Sequence, residues 1–174
     1  MKTGIVVFPG SNCDRDVHHV LNDVVGINAE YVWHTEKSIE DYDALILPGG
    51  FSYGDRLRAG VIAAQSPIME AIKKKADEGL PILGICNGFQ ILVEAGLLPG
   101  ALVKNVNLKF SCKWLQMEVL NVNTPFTNLF RLNDQINIPI AHGEGRYIMN
   151  NDKIHELNEN NQIVFKYKDQ NPNG

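Results

Sequence analysis

Ile82-Leu83-Gly84-Ile85-Cys86-Asn87-Gly88-Phe89-Gln90 decides how the rest of the chain is read. Pro81 to Ile85 is an apolar run of strand length, and the residues from Asn87 to about Ala95 carry Ile91, Leu92 and Val93 at helical spacing. A buried strand therefore runs straight into a helix, with a cysteine at the junction. Gly84 and Gly88 flank it in the pattern Gly-x-Cys-x-Gly. Glycines there permit a sharp turn that lifts the side chain between them to the carboxyl edge of a sheet. A thiol in that position meets the positive end of the helix, which favours the thiolate. The Asn87 N–H, at the first turn, is available to an oxyanion. A buried structural cysteine is the plain alternative for the pentapeptide alone.

The same strand-then-helix rhythm extends upstream. Thr3 to Phe8 is almost wholly apolar, as in a strand covered on both faces. Ser11 and Asp14 are spaced to cap a following helix, with Val17, Val20, Leu21 and Val24 on one face and Gly26 at its end. Ala29 to Trp33 and Ala44 to Leu47 read as strands, the second stopped by Pro48-Gly49-Gly50. Pro67 to Glu78 reads as a helix with Pro at its start, lysines late and Gly79 behind it. Short connections between alternating strands and helices predict an α/β doubly wound, mainly parallel sheet with helices on both faces.

From Gly100 the texture changes. Val103 to Phe110 and Trp114 to Val122 read as longer mixed strands, so an antiparallel extension is expected. Further strands fit Gln135 to Ile140 and Gln162 to Lys168, with a short helix near Asp152 to Leu157 and a polar turn at Asn158 to Asn161. Asp169 to Gly174 is a polar, Pro- and Gly-containing tail, either frayed or a turn.

Composition excludes several classes of function. The 174 residues carry a net charge of −4 and no basic stripe for a nucleic-acid backbone. The apolar run Ile5 to Phe8 is too short for a signal peptide or membrane span. The three cysteines, Cys13, Cys86 and Cys112, form no zinc or redox spacing, and no Gly-x-x-x-x-Gly-Lys-Ser/Thr phosphate loop occurs. Unpaired thiols fit a reducing cytoplasm.

Among candidate site residues, Gly50 follows the third strand, where successive glycines let a main-chain N–H face the cleft beside Cys86; a plain turn is the alternative. Cys13 is the rival thiol, near a helix N-terminus but without flanking glycines. Cys112 reads as structural. His18, His19, His34 and His155 read as solvated or packing residues, and no metal site is expected. His142 lies in Ala141-His142-Gly143-Glu144-Gly145-Arg146-Tyr147, a polar bend after a strand. It reads either as a site residue or as a hydrogen-bonded structural histidine.

The elbow string together with Pro48-Gly49-Gly50 resembles the class I glutamine amidotransferases. Phe8-Pro9-Gly10-Ser11-Asn12-Cys13-Asp14, Pro48-Gly49-Gly50-Phe51-Ser52-Tyr53-Gly54-Asp55 and the Ala141–Tyr147 string extend the resemblance, over essentially the whole chain, to the glutaminase subunits of phosphoribosylformylglycinamidine synthase. The resemblance implies Cys86 as nucleophile, the N–H groups of Gly50 and Asn87 as oxyanion donors, and Gln90, Gly143 and Glu144 as holders of glutamine. It also implies a synthetase partner that makes formylglycinamidine ribonucleotide in purine biosynthesis, with ATP and Mg held by that partner and none here. A small accessory subunit is a further partner it implies.

In that family the catalytic His and Glu stand in a Pro-His-Pro-Glu stretch after a last strand, and residues 1–174 contain none. The expectation is one amidotransferase domain over 1–174, lacking that segment, so that these residues alone hydrolyse glutamine poorly. Two other classes stay open: another elbow-cysteine α/β hydrolase or lyase, and a non-catalytic docking subunit.

Overall fold

The computed structural model describes residues 1–168 and 170–173. The chain divides into two compact units, Met1–Leu98 and Pro99–Gly174.

In the first unit, β1 (Lys2–Val7), β2 (Asn28–Trp33), β3 (Ala44–Leu47) and β4 (Ile82–Gly84) form an all-parallel sheet in the order β2-β1-β3-β4. Parallel neighbours need crossover connections. α1 (Asp14–His19) joins β1 to β2 and α2 (Ile68–Asp77) joins β3 to β4, while α3 (Asn87–Glu94) follows β4. The two crossovers run outward in opposite directions from the β1–β3 pair. Right-handed connections then place them on opposite faces, which is the doubly wound arrangement. Ile5 pairs with Tyr31 on one side and Ile46 on the other, so β1 is central and its apolar run is buried. Val6, Phe8, Leu45 and Leu47 pack with Ile68, Met69 and Ile72 of α2 and Ile91 and Leu92 of α3. The carboxyl ends of β1, β3 and β4 lie side by side at the point where strand order reverses, the usual ligand edge of such sheets.

Two local expectations fail here. Ser11 does not cap α1: its Oγ turns back to accept the Phe8 N–H at 3.1 Å, and Cys13 takes the N-cap position without a side-chain bond. The helix then widens into a π turn over Val20–Val25, and Val20, Val24 and Val25 are exposed. The apolar face expected along Val17, Val20, Leu21 and Val24 is thus not a core face.

The second unit is antiparallel. β5 (Ala101–Val103) pairs with β8 (Arg146–Ile148), while β6 (Ser111–Val119) lies between β7 (Gln135–His142) and β9 (Phe165–Tyr167). The antiparallel part is therefore present as two sheets of its own. α4 (Asn151–Glu159) is capped by the Asn150 side chain, which accepts the Lys153 N–H at 2.9 Å. The strand expected from Val103 to Phe110 is a turn instead, because Asn105 draws the chain inward and Leu108 takes a φ of 54°. Cys112, expected as structural, is exposed on β6. Of the tail, Asp169 and Gly174 lie outside the described residues. Asn173 is buried, accepts the Val106 N–H and donates to the Gly145 carbonyl, so the described part is a docked turn.

No helix of the described residues is long and apolar enough to cross a membrane.

Candidate active site

The elbow is built by close packing. Cys86 has φ 51° and ψ −106°, a conformation that costs a non-glycine residue on the order of 1–3 kcal/mol. The flanking glycines allow it. A β-carbon on Gly88 would stand 1.9 Å from the Leu47 carbonyl oxygen, and one on Gly84 would stand 2.8 Å from the Phe89 nitrogen. Helix α3 therefore rests directly on the ends of β3 and β4, and the chain must turn sharply to enter it. The turn holds Cys86 exposed above a helix whose Asn87, Gly88, Gln90, Ile91, Leu92 and Val93 are buried.

Gly50 faces the same corner. The segments Gly10–Asn12 and Gly49–Phe51 run antiparallel: Asn12 N–H donates to the Gly49 carbonyl at 3.2 Å and Phe51 N–H to the Gly10 carbonyl at 2.9 Å, around an isolated Ser11–Gly50 bridge. In such a pair the main-chain groups of the bridged residue itself turn outward. The alternation continues along the loop. Phe51 and Tyr53 donate towards Gly10 and Pro9, whereas the Ser52 N–H donates the other way, to Asn87 Oδ1 at 3.1 Å. Gly50 shares the parity of Ser52, so its N–H turns away from the Gly10–Asn12 segment. Nothing among the described residues accepts it. Only glycine fits this position, at φ 150°, with a β-carbon there 2.6 Å from the Asn12 nitrogen.

The electrostatics correct one expectation. The Asn87 N–H does bond to the Cys86 sulfur and draws its pKa down, but lost hydration from the protein atoms crowding it, which acts although the residue keeps surface exposure, outweighs that bond. Cys13 and Asp55 push in the same direction as burial, so the thiol titrates above its ordinary value. The helix N-terminus alone does not make this cysteine a thiolate, because the charged form loses more hydration at the elbow than one amide returns. Cys13 lies close by: a β-carbon on Gly49 would be 3.3 Å from its Sγ and 3.6 Å from Cys86 Cβ. Its pKa is also raised, first by burial and then by Asp16 and Asp14.

Gly50, Cys86, Asn87 and Gln90 thus come together in the first unit. Gln90 is buried, and its Oε1 accepts a bond from Asn87 Nδ2 at 2.9 Å. Gly143 and Glu144 belong to the second unit, in the link between β7 and β8, where the Gly143 carbonyl accepts the Asn105 N–H at 3.0 Å. His142 is held there as well. Asn105 donates through Nδ2 to the Lys109 and His142 carbonyls, which leaves its Oδ1 to accept the Gly145 N–H and His142 Nδ1 at 3.1 Å each. His142 therefore carries its proton on Nδ1, and burial lowers its pKa. Reading residues one by one missed two organising side chains, Asn105 and Asn87. A buried Asn beside a turn was their only sequence signal.

Comparison with known proteins agrees with this geometry. The family model of the CobB/CobQ-like glutamine amidotransferase domain matches residues 1–174. The structure of PurLQS from Thermotoga maritima contains a chain 47% identical to this one, with a TM-score of 0.88 over 99% of this chain and 76% of that one. A putative GMP synthase component from Thermoplasma acidophilum is 21% identical, with a TM-score of 0.58 over 85% of this chain and 67% of that one. A glutamine amidotransferase from Thermotoga maritima is 18% identical, with a TM-score of 0.59 over 86% of this chain and 63% of that one. The last two bear on the fold alone. A parallel sheet ending in a strained cysteine corner, antiparallel sheets in the second unit and a match along its full length establish that this chain belongs to the CobB/CobQ-like glutamine amidotransferase domain family and has the class I amidotransferase fold.

Proposed function

We propose that this chain releases ammonia from glutamine through a thioester on Cys86 and delivers it to a synthetase partner that makes formylglycinamidine ribonucleotide in purine biosynthesis. The observation that carries the reading is a cysteine held at φ 51° beside the Gly49–Gly50 turn, where a β-carbon on Gly49 would stand 3.6 Å from Cys86 Cβ. The Cys86 sulfur attacks the side-chain carbonyl carbon of glutamine, and the carbonyl oxygen takes the negative charge. The N–H groups of Gly50 and Asn87 stabilise that oxyanion where it forms, a role whose loss costs about 10²–10³ in rate per donor. The carbon–nitrogen bond then breaks and nitrogen leaves as ammonia with an added proton. Water attacks the thioester, a second oxyanion forms in the same place, and glutamate departs with the thiol restored. Gln90, Gly143 and Glu144 hold glutamine in this reading.

The raised pKa of Cys86 means that the sulfur needs a base to accept its proton. Resemblance assigns that role to a Pro-His-Pro-Glu segment not contained in residues 1–174. The 47% identity to a chain of PurLQS supports a synthetase as the recipient of the ammonia. ATP and Mg belong to that partner, a small accessory subunit completes the assembly, and the cytoplasm is the compartment.

The test is Cys86→Ser in the assembled glutaminase–synthetase complex. Glutamine-dependent synthesis should vanish while synthesis from added ammonium salt continues at its original rate. Loss of both activities together, or survival of the first, would refute the division of labour.

A further inference from the structure

Asn87 contributes to the corner with its side chain as well as its main chain. The residue is 2% exposed. Because the Ser52 N–H donates to Oδ1, the amide orientation is fixed, and Nδ2 becomes the donor to Gln90 Oε1 at 2.9 Å and, more weakly, to Asp55 Oδ1 at 3.4 Å. One side chain therefore joins three parts of the site: the loop after β3, the elbow, and Gln90 on α3.

The loop needs such a tie. Tyr53, Gly54, Asp55 and Leu57 all have φ between 51° and 70°, a strained run of left-handed residues around the short 3₁₀ turn Ser52–Asp55. From one side the Pro9 and Gly10 carbonyls fix the amides of Tyr53 and Phe51. From the elbow side Asn87 fixes the amide of Ser52. The Gly50 amide shares its peptide with the Gly49 carbonyl, which accepts the Asn12 and Cys13 N–H groups at 3.2 and 3.1 Å, so the amide is anchored from the β1 side by those bonds and its loop from the elbow side by Asn87. A leucine at position 87 would fill nearly the same volume. It would also leave the Ser52 N–H buried without a partner and release the loop on its elbow side.

We infer that the Asn87 side chain is a positioning group that locks the Gly50 amide onto the oxyanion formed at Cys86. The inference rests on the reading of Cys86 as the glutaminase nucleophile. It makes the second oxyanion donor a feature set by this chain's own packing, through the hydrogen bonds of one buried side chain.

Asn87→Ala and Asn87→Leu in the complete complex test it. A displaced donor costs up to about 10²-fold in rate. We expect glutamine-dependent kcat to fall by roughly 10- to 100-fold, and binding of a glutamine-derived aldehyde, whose thiohemiacetal oxygen needs the same donors, to weaken by the same factor. Alkylation of Cys86 by iodoacetamide, which forms no oxyanion, should stay within about twofold of the parent rate, since the barrier it crosses involves no such donor. An unchanged kcat, or alkylation falling in step with it, would overturn the inference, the second outcome showing a merely structural role. In the unmutated protein, NMR should show the Gly50 amide proton moving strongly downfield when the aldehyde binds; a stationary Gly50 signal would overturn the inference whether or not the variants fold. Cys86→Ser run alongside separates the two levels. If it retains glutamine-dependent activity the parent reading fails, and if it is inactive while both Asn87 variants are fully active only the positioning inference fails.

Discussion

The molecule builds two strand-to-helix corners with a cysteine at the helix N-cap, and only one has the form of a catalytic centre. At the first, β1 leads to Cys13 with an ordinary φ of −97°. The amides of Asn12 and Cys13, which open α1, both donate to the Gly49 carbonyl, at 3.2 and 3.1 Å. At the second, β4 leads to Cys86 with φ 51°, and the Asn87 amide faces the sulfur instead of a carbonyl. The first corner therefore orients a peptide, and the second presents donors to a ligand. A thiol at a helix N-terminus does not by itself make a nucleophile. What distinguishes the second corner is that the Asn87 amide faces the sulfur, while its neighbours Ile85 and Gly88 donate to the Leu47 and Ile85 carbonyls.

The sharpest way to break this comparison is to delete each thiol in turn. Cys86→Ala should reduce glutamine-dependent turnover by a factor on the order of 10⁴ or more, as removal of a nucleophile does in acyl-transfer enzymes. Cys13→Ala should alter it by less than roughly tenfold, because the groups that orient Gly49 at that corner are main-chain amides, which the change leaves in place. Equal losses from the two variants would erase the distinction. A second contrast concerns packing. Gly88→Ala forces a methyl group against the Leu47 carbonyl and should cost about 3 kcal/mol or more, read as a fall in melting temperature of roughly 6–12 °C. Gly26→Ala, at the far end of the α1 turn with open space around it, incurs only the left-handed backbone penalty of about 1 kcal/mol. Calorimetry finding the two alike would mean that α3 is not seated on β3 as tightly as the elbow demands.

The parts that were readable from sequence are those governed by near neighbours along the chain. β1, β3 and β4 announce themselves as short apolar runs closed by glycine or proline, and Gly84 marks the elbow through its close approach to Phe89, whereas Gly88, which meets the Leu47 carbonyl on β3, was legible only through the Gly-x-Cys-x-Gly pattern. The unreadable parts depend on distant partners. β8 sits inside a polar bend and is a strand only because it meets β5, far earlier in the chain. Val103 to Phe110 has the composition of a strand, yet Asn105 bonds the Lys109 and His142 carbonyls and folds the run back. Ser11 has the spacing of a helix cap, but the bridge to Gly50 turns it the other way. The role of the Asn87 side chain is of the same kind, since its acceptor function exists only through Ser52, 35 residues upstream.

Titration gives the smallest and most direct comparison of the two thiols. Burial raises both, and nearby carboxylates raise them further: Asp55 at Cys86, Asp16 and Asp14 at Cys13. Alkylation by iodoacetamide follows the thiolate fraction, so each site should react with a midpoint above that of a free thiol, about 8.5. Asp55→Asn removes a negative charge near Cys86 and should lower its midpoint while leaving Cys13 in place; Asp16→Asn should do the reverse. At neutral pH each change speeds its own thiol by no more than a few fold, because a carboxylate is a lesser cause than burial at both sites. The folded state holds these protons more tightly than the unfolded chain. Each thiol thus contributes stability that is full below the unfolded thiol's pKa and is lost as pH rises through the folded value. A Cys86 midpoint below that of a free thiol would mean that the Asn87 amide dominates after all, and that the corner generates its thiolate without a base.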